Sequence, residues 1–277
     1  MVSILERGGI GTAGREAKWI VEAAAGAPAA RLWSGDDSPD EEVTSRALGM
    51  ARRRSEGMPL QYVTGRAGFR YLELSVGPGV LIPRPETEVV AGRAMEHLPR
   101  EGTLVDVGTG SGAIALSVAQ ERPDARVLAT ERHPAALVWA ERNRAELGLD
   151  VALFRGDLLE ELPTELRGLV DVVVANPPYI GRTEIDALPA EVMDHEPHEA
   201  LFSGASGHDL LKRIIAEAAP WLAPDGWLVL EIAPPQAAAV MGWLRAAGYR
   251  DVAVRRDLTG RLRVAEGRRG SDEKGAA

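Results

Sequence analysis

Four consecutive residues, Asn176-Pro177-Pro178-Tyr179, combine types suited to gripping a planar NH₂ group. The asparagine side-chain oxygen can accept one N–H. Pro177 and Pro178 have no N–H, so the local backbone offers mainly carbonyl acceptors, and the Pro177 carbonyl can take the second hydrogen. A residue before proline is pushed towards extended geometry, which holds Asn176 and Pro177 stiffly. The Tyr179 ring can pack on the flat face of the held group. An amide nitrogen is a poor nucleophile because its lone pair is delocalised into the carbonyl. Holding both hydrogens favours a geometry with the lone pair aimed at an electrophile, and proximity and orientation then supply most of the acceleration. The proton can leave after attack, so no strong base is needed first. Methyl transfer from a sulfonium fits these terms, and a partly dry site favours it because the sulfonium loses its charge.

A second cluster is Asp106-Val107-Gly108-Thr109-Gly110-Ser111-Gly112. Glycines let the backbone turn sharply and approach a ligand closely. Here the order is strand, Gly-x-Gly-x-Gly, helix, the context that a nucleotide-binding turn requires. Glu131 follows the next strand, 21 residues after Gly110, where a carboxylate can accept both hydroxyls of a ribose. Asp157 and Leu158 follow the third strand, where methyltransferases of this fold commonly place groups around an adenine. A dinucleotide and an adenosyl cofactor both satisfy the turn and Glu131. The Asn-Pro-Pro-Tyr segment favours the adenosyl cofactor, S-adenosylmethionine, leaving S-adenosylhomocysteine as product.

These residues need a scaffold, and the pattern from residue 103 supplies one. Strands are expected at Thr103–Val107, Arg126–Thr130, Val151–Arg155, Val170–Ala175, Trp227–Ile232, Asp251–Val254 and Leu262–Ala265. Helices are expected between them, at Ala113–Glu121, Pro134–Leu147 and Leu210–Leu222. Such alternation predicts an α/β fold, a Rossmann-like, largely parallel sheet with helices on both faces, whose ligands bind beyond the carboxyl ends of the strands. Residues 1–57 read as helical. Ala17, Ile20, Val21 and Ala24 recur on one helix face, and Ser38, Pro39 and Glu41 fit an N-cap, a first-turn proline and a capping-box partner for a second helix. That helix runs through Val43, Ala47, Leu48 and Ala51 and closes at Gly57. Between the two parts, Phe69, Tyr71, Leu72 and Leu74, then Val76, Val80, Leu81 and Ile82, suggest two short strands around Gly77-Pro78-Gly79. The expected organisation is a helical domain at 1–57, a hairpin linker at 58–82, a catalytic domain at 83–268 and a polar tail at 269–277.

Composition narrows the function classes. The chain has 277 residues and no cysteine, which excludes disulfides and thiolate metal sites. His195 and His198 are separated by Pro197 and lack a third ligand, so no metal is expected. Residues 1–75 balance ten basic against ten acidic side chains, so the remaining 22 basic and 31 acidic residues carry the whole charge of −9. An acidic catalytic portion is a poor match to a phosphate backbone, and no basic target-reading domain is present. Arginine accounts for 29 of the 32 basic residues, so Arg52-Arg53-Arg54 reads as a solvated helix end. No stretch has the length of a membrane span, and the amino terminus lacks a long apolar core, so a cytosolic protein is expected.

With these residues in place, the sequence resembles the HemK/PrmC family, the protein glutamine methyltransferases that modify class I peptide chain release factors. Asn-Pro-Pro-Tyr is shared with methyltransferases acting on adenine in DNA, which also offers an NH₂ on a planar conjugated system. Other segments narrow the choice. Pro59–Gly65 looks like the family's linker signature, and Leu81–Glu88 matches the segment leading into its catalytic domain. Glu196–Leu201 with Gly204–Gly207, Leu230-Glu231-Ile232 with Gln236, and Asp257–Arg261 with Arg263 are similar to its later segments. The resemblance covers residues 12–268 and is dense from 58 onward.

The resemblance implies cofactor contacts at Gly108, Thr109, Gly110, Ser111, Gly112, Glu131, Leu158 and Asn176. Asp157 joins them on its position after the third strand. It implies catalytic and substrate contacts at Asn176, Pro177, Pro178 and Tyr179. The expected partners are class I release factors, with no nucleic acid and no membrane, and the chain is expected to be a monomer. A ribosomal protein glutamine is the alternative substrate, and adenine in DNA a more distant one. A non-enzymatic adenosyl-binding module is disfavoured by the intact Asn176–Tyr179 segment. Three positions depart from the family pattern: Glu131 stands for the usual aspartate, Ala233 for a glycine, and Leu158 for an aromatic ring found in some members. Arg84, Glu86 and Glu88 read equally as active-site groups and as ordinary first-turn residues.

Overall fold

The computed structural model describes residues 1–27, 40–181, 185 and 188–270. In the amino-terminal part, α1 (Val2–Arg7), α2 (Ala13–Ala25), α3 (Glu41–Ser55) and α4 (Leu60–Thr64) bury Leu5, Ile20, Met50 and Val63 against one another. The predicted face of α2 is largely buried, with Ile20 and Ala24 sealed. Helix α3 starts later than expected: Asp40 is its N-cap, accepting from the Glu42 N–H at 2.9 Å. Ser38 and Pro39, which the sequence suggested as cap and first turn, lie outside the described residues. The arginine cluster also differs from expectation. Arg52 and Arg53 are solvated, but Arg54 is buried between Glu16 (2.7 Å) and Glu191 (3.0 Å) and donates to the Met58 carbonyl. It links the helical part to a short helix beyond residue 189.

The hairpin is shorter and earlier than the pattern predicted. Strands β1 (Arg66–Phe69) and β2 (Leu72–Ser75) pair antiparallel and turn at Arg70-Tyr71, with Arg70 at φ +51°. Arg70 is held there by its surroundings: its N–H donates to Glu88 Oε1 and its guanidinium pairs with Glu121. Gly77-Pro78-Gly79 is therefore no hairpin turn. Gly77 passes against the Trp139 indole, where a Cβ would come within 2.6 Å of Cζ2. Val76, Val80 and Ile82 are buried in an irregular segment, and the Tyr62 hydroxyl donates to the Val80 carbonyl at 2.5 Å.

After α5 (Thr87–His97) the chain alternates: β3 (Thr103–Val107), α6 (Ala113–Glu121), β4 (Arg126–Glu131), α7 (Pro134–Leu147), β5 (Ala152–Arg155) and β6 (Val170–Ala175). Then come α8 (Ala190–His195), α9 (Asp209–Ala218), β7 (Leu222–Glu231), α10 (Ala237–Ala246), β8 (Tyr249–Arg256) and β9 (Leu262–Arg269). Helix α9 stops short of the predicted Leu222 because Pro220 cannot continue it, and Leu222 already pairs with Val170 as the start of β7. Strands β3 to β7 run parallel in the order β5-β4-β3-β6-β7, and β9 and β8 add on antiparallel. Strand residues alternate between faces. Leu104, Val172 and Val174 meet α5 and α6 on one side, while Val105, Val173 and Ala175 meet α9 and α10 on the other. Strand β3 lies between β4 and β6, so the order reverses there, and the carboxyl ends of β3 and β6 open onto one crevice. Strand β9 extends to Arg269, one residue beyond the expected catalytic domain.

Candidate active site

The glycine turn leaves β3 with Gly108, Gly110 and Gly112 all at positive φ, from +59° to +86°. Gly108 and Thr109 donate their N–H groups to the Thr130 carbonyl, which fastens the turn to β4. Asn143 on α7 fastens its far side, donating to the Ser111 and Ser75 carbonyls and accepting from the Ser75 N–H at 2.7 Å. Gly112 serves packing: a Cβ there would meet Leu116 Cδ1 at 2.7 Å.

A cavity of 530 Å³ spans the ends of β3, β4 and β6, within the range of small-molecule sites. Gly108, Thr109, Gly110, Ser111, Glu131, Asp157, Leu158, Asn176, Pro177 and Pro178 all face it. Gly112 and Tyr179 do not. Glu131 is buried at the end of β4; it accepts from the Gly110 N–H (3.0 Å) and the His133 N–H (2.8 Å). A carboxylate has about four acceptor positions, so two remain for a ribose. Asp157 pairs with Arg213 at 3.0 Å on the rim. Leu158 takes φ +51° and presents an apolar wall.

Asp106, the second-to-last residue of β3, joins these. It accepts from the Thr109 hydroxyl (2.6 Å) and the Ala115 N–H (3.1 Å), while its buried Oδ1 has no partner among the described residues. Burial pushes its carboxyl up to about 7, against the lowering effect of those two bonds. An orphaned acceptor beside a glycine cradle fits a ligand carrying a cationic amine, and adenosylmethionine carries one. Sequence reasoning assigns Asp106 no role; a single acid among Leu104, Val105 and Val107, just ahead of the glycine turn, is the signal that could have found it.

Asn176 leaves the end of β6. Its Nδ2 donates to Thr87 Oγ1 (3.1 Å), and the Thr87 hydroxyl donates to Glu231 Oε2 (2.6 Å). The Tyr179 hydroxyl donates to Glu231 Oε1 (3.3 Å) and accepts from Arg263 (3.3 Å), and its backbone carbonyl accepts from Gln236. Thr87, Glu231, Gln236 and Arg263 are all buried. Among the described residues no donor meets Asn176 Oδ1 or the Pro177 carbonyl. The Tyr179 ring is thus anchored behind the wall by its hydroxyl, a role the motif alone did not suggest. Ala233 carries a similar message: its N–H donates to Gln236 Oε1, and nothing there needs a glycine.

The three residues left open by the sequence separate. Arg84 pairs with Glu196 at 2.5 Å and so ties the segment before α5 to the segment after α8. Glu86 lies close enough to Glu231 to raise its pKa. Glu88 holds the hairpin turn through Arg70.

The parallel sheet, the glycine turn, the acids at the ends of β3 and β4 and the Asn176-Pro177-Pro178 wall of the same cavity together define a class, the S-adenosylmethionine-dependent methyltransferases. Two family descriptions match the chain: Methyltransferase small domain over residues 90–207 and PrmC N-terminal domain over residues 1–65. The release factor glutamine methyltransferase of Geobacter sulfurreducens is 37% identical over 95% of this chain and 92% of its own length. That of Streptomyces coelicolor is 45% identical over 83% of each chain. Among solved structures, a T. thermophilus 16S rRNA methyltransferase in complex with AdoMet and guanosine shares the fold at a TM-score of 0.54. That match has 19% identity and covers 74% of this chain and 49% of the other. The chain belongs to the release factor glutamine methyltransferase family. Among the described residues, no helix is long and apolar enough to cross a membrane.

Proposed function

We propose that this protein transfers a methyl group from S-adenosylmethionine to the side-chain amide nitrogen of a glutamine in class I peptide chain release factors. The observation that carries the reading is the state of Asn176. Its NH₂ is engaged by Thr87, which leaves its oxygen and the neighbouring Pro177 carbonyl, neither met by a donor among the described residues, as a pair of acceptors for a substrate NH₂ at the end of β6. Asn176 and Pro177 hold the two amide hydrogens, and Pro178 with Tyr179 sets the backbone that presents them. Gly108 to Ser111, Asp106, Glu131, Asp157 and Leu158 hold the cofactor, which supplies an electrophilic methyl on a sulfonium. Gly112 supports this set through helix packing. Apolar walls keep water from the nitrogen, and the proton departs after transfer, so the site needs no strong base.

The helical part, residues 1–57 with α4 added, is the substrate-recognition unit. Its match to the PrmC N-terminal domain supports a release factor over a ribosomal protein as the substrate. The acidic catalytic portion fits a protein partner better than a nucleic acid, in a cytosolic monomer. The test is mass spectrometry of purified release factors after incubation with this protein and isotopically labelled cofactor. A labelled methyl on one glutamine amide is the expected result. No transfer to any class I factor, with transfer to ribosomal protein or DNA, overturns the reading.

A further inference from the structure

An asparagine side chain has an acceptor end and a donor end of nearly the same shape, and only one of them can receive a substrate N–H. Packing does not tell the two apart; hydrogen-bond partners do. Among the described residues, Asn176 meets one partner with its amide, Thr87 Oγ1. A threonine hydroxyl can donate or accept, so Thr87 alone would tolerate either orientation. Glu231 removes the choice. As a carboxylate it can only accept, and its Oε2 lies 2.6 Å from Thr87 Oγ1, the length of a charge-assisted bond. The single Thr87 proton is therefore committed to Glu231. What remains on the hydroxyl is lone pairs, which take the Asn176 Nδ2 hydrogens and refuse Oδ1.

We propose that Thr87 and Glu231 are positioning residues which dictate that the oxygen, and not the nitrogen, of the Asn176 amide faces the substrate glutamine. The proposal rests on the reading that Asn176 grips the substrate amide. If the amide were reversed, Asn176 N–H would point at substrate N–H and Oδ1 at the Thr87 lone pairs, two repulsive contacts in place of two bonds. Glu231 suits this role, being 1% exposed and having its second oxygen taken by the Tyr179 hydroxyl.

The same chain gives the device a charge dependence. A protonated Glu231 can donate to Thr87, which then turns its own proton towards Asn176 and calls for Oδ1, leaving the NH₂ facing the cavity. Burial raises the Glu231 pKa, and Glu86 on the segment leading into α5 raises it further. The Thr87 bond, Arg263 on β9 and the Tyr179 bond lower it. An acid whose pKa is raised loses its charge as pH falls through that value, so activity should have an acid limb belonging to Glu231.

The experiment compares kcat, KM for release factor and cofactor affinity by calorimetry for the parent protein, Thr87→Val, Thr87→Ser, Glu231→Gln, Glu231→Ala and Asn176→Ala. Circular dichroism checks each fold. Thr87→Val keeps the shape and loses the hydroxyl, so kcat should fall about ten-fold or more with cofactor affinity within about two-fold. Thr87→Ser restores the hydroxyl and should bring kcat to within about three-fold of the parent. Glu231→Gln has no proton to gain or lose and its amide can either accept from Thr87 or donate to it, so kcat should fall below the parent and the acid limb of the kcat–pH profile should disappear; Glu231→Ala, which leaves the Thr87 proton uncommitted, should fall as well. A parental kcat in Thr87→Val, a serine variant as poor as valine, or an acid limb unchanged in Glu231→Gln overturns the proposal. Near-normal turnover in Asn176→Ala instead brings down the grip itself, so the two failures are distinguishable.

Discussion

Replacing Asn176 by aspartate separates the two jobs of its amide. Alanine removes both: the oxygen offered to the substrate and the donor to Thr87. Losing one positioned acceptor in a water-poor site costs about 3–4 kcal/mol of transition-state stabilisation, a rate loss of two to three orders of magnitude. Aspartate keeps the acceptor oxygen and loses the donor. Its second oxygen then faces a hydroxyl whose proton already serves Glu231 at 2.6 Å, so two carboxylates share one proton across Thr87. Like charges this close hold one of the pair protonated well above the usual carboxylate range. The working form of the variant is the one with the introduced carboxyl protonated, because its O–H replaces the Nδ2 donor while its carbonyl oxygen serves the substrate. Asn176→Asp should therefore fall between parent and alanine, and its kcat should rise as pH is lowered, against the trend of the parent. Initial rates of labelled methyl transfer to release factor at saturating cofactor measure this, with calorimetry to confirm that cofactor binding changes far less than turnover. Near-normal turnover of the alanine variant refutes the grip. An aspartate variant no better than alanine at every pH refutes the argument from two oxygens.

Glu131→Ala should weaken adenosylmethionine binding at least about ten-fold by calorimetry, since it removes a ribose acceptor and frees the Gly110 and His133 N–H groups; an undiminished affinity would place the ribose elsewhere. Asp106, with its pKa raised to about 7, binds a proton more tightly when folded than when unfolded. That stabilisation of the cofactor-free protein is complete below the unfolded pKa near 4 and is lost as pH rises through about 7. A cationic ligand beside Asp106 lowers its pKa, so binding near pH 6–7 should release a proton and give a heat that depends on the buffer; Asp106→Asn should abolish that dependence, and a buffer-independent heat in the parent would contradict it. A protein beginning at Arg66, after α4, should still bind cofactor and lose activity on intact release factor, with circular dichroism verifying its fold; full-rate methylation would assign the helical part another purpose.

The parts of this molecule that could be read from its sequence are those whose cause is local. Alternation fixes Thr103–Val107 and Val170–Ala175 as strands, proline opens α7 at Pro134, and three glycines mark a turn because their backbone takes positive φ. Where a distant residue supplies the cause, the pattern misleads. Arg70-Tyr71 contains no glycine, and its turn is held by Glu88 and Glu121 from two separate helices, so the glycines at 77 and 79 drew the hairpin instead. Arg54 looks like any arginine at a helix end until Glu16 and Glu191 close on it. The site repeats the lesson at finer grain. Asn176, Pro177 and the glycine turn are legible because each acts through its own residue type. Thr87 and Glu231 stand 144 residues apart, and Thr87 lies 89 residues from Asn176. They meet only because β6 and β7 are neighbours and the start of α5 packs over both. A motif can announce that an amide is present, but which end of it faces the substrate is decided by a proton on Thr87, and that proton is placed by the topology of the sheet.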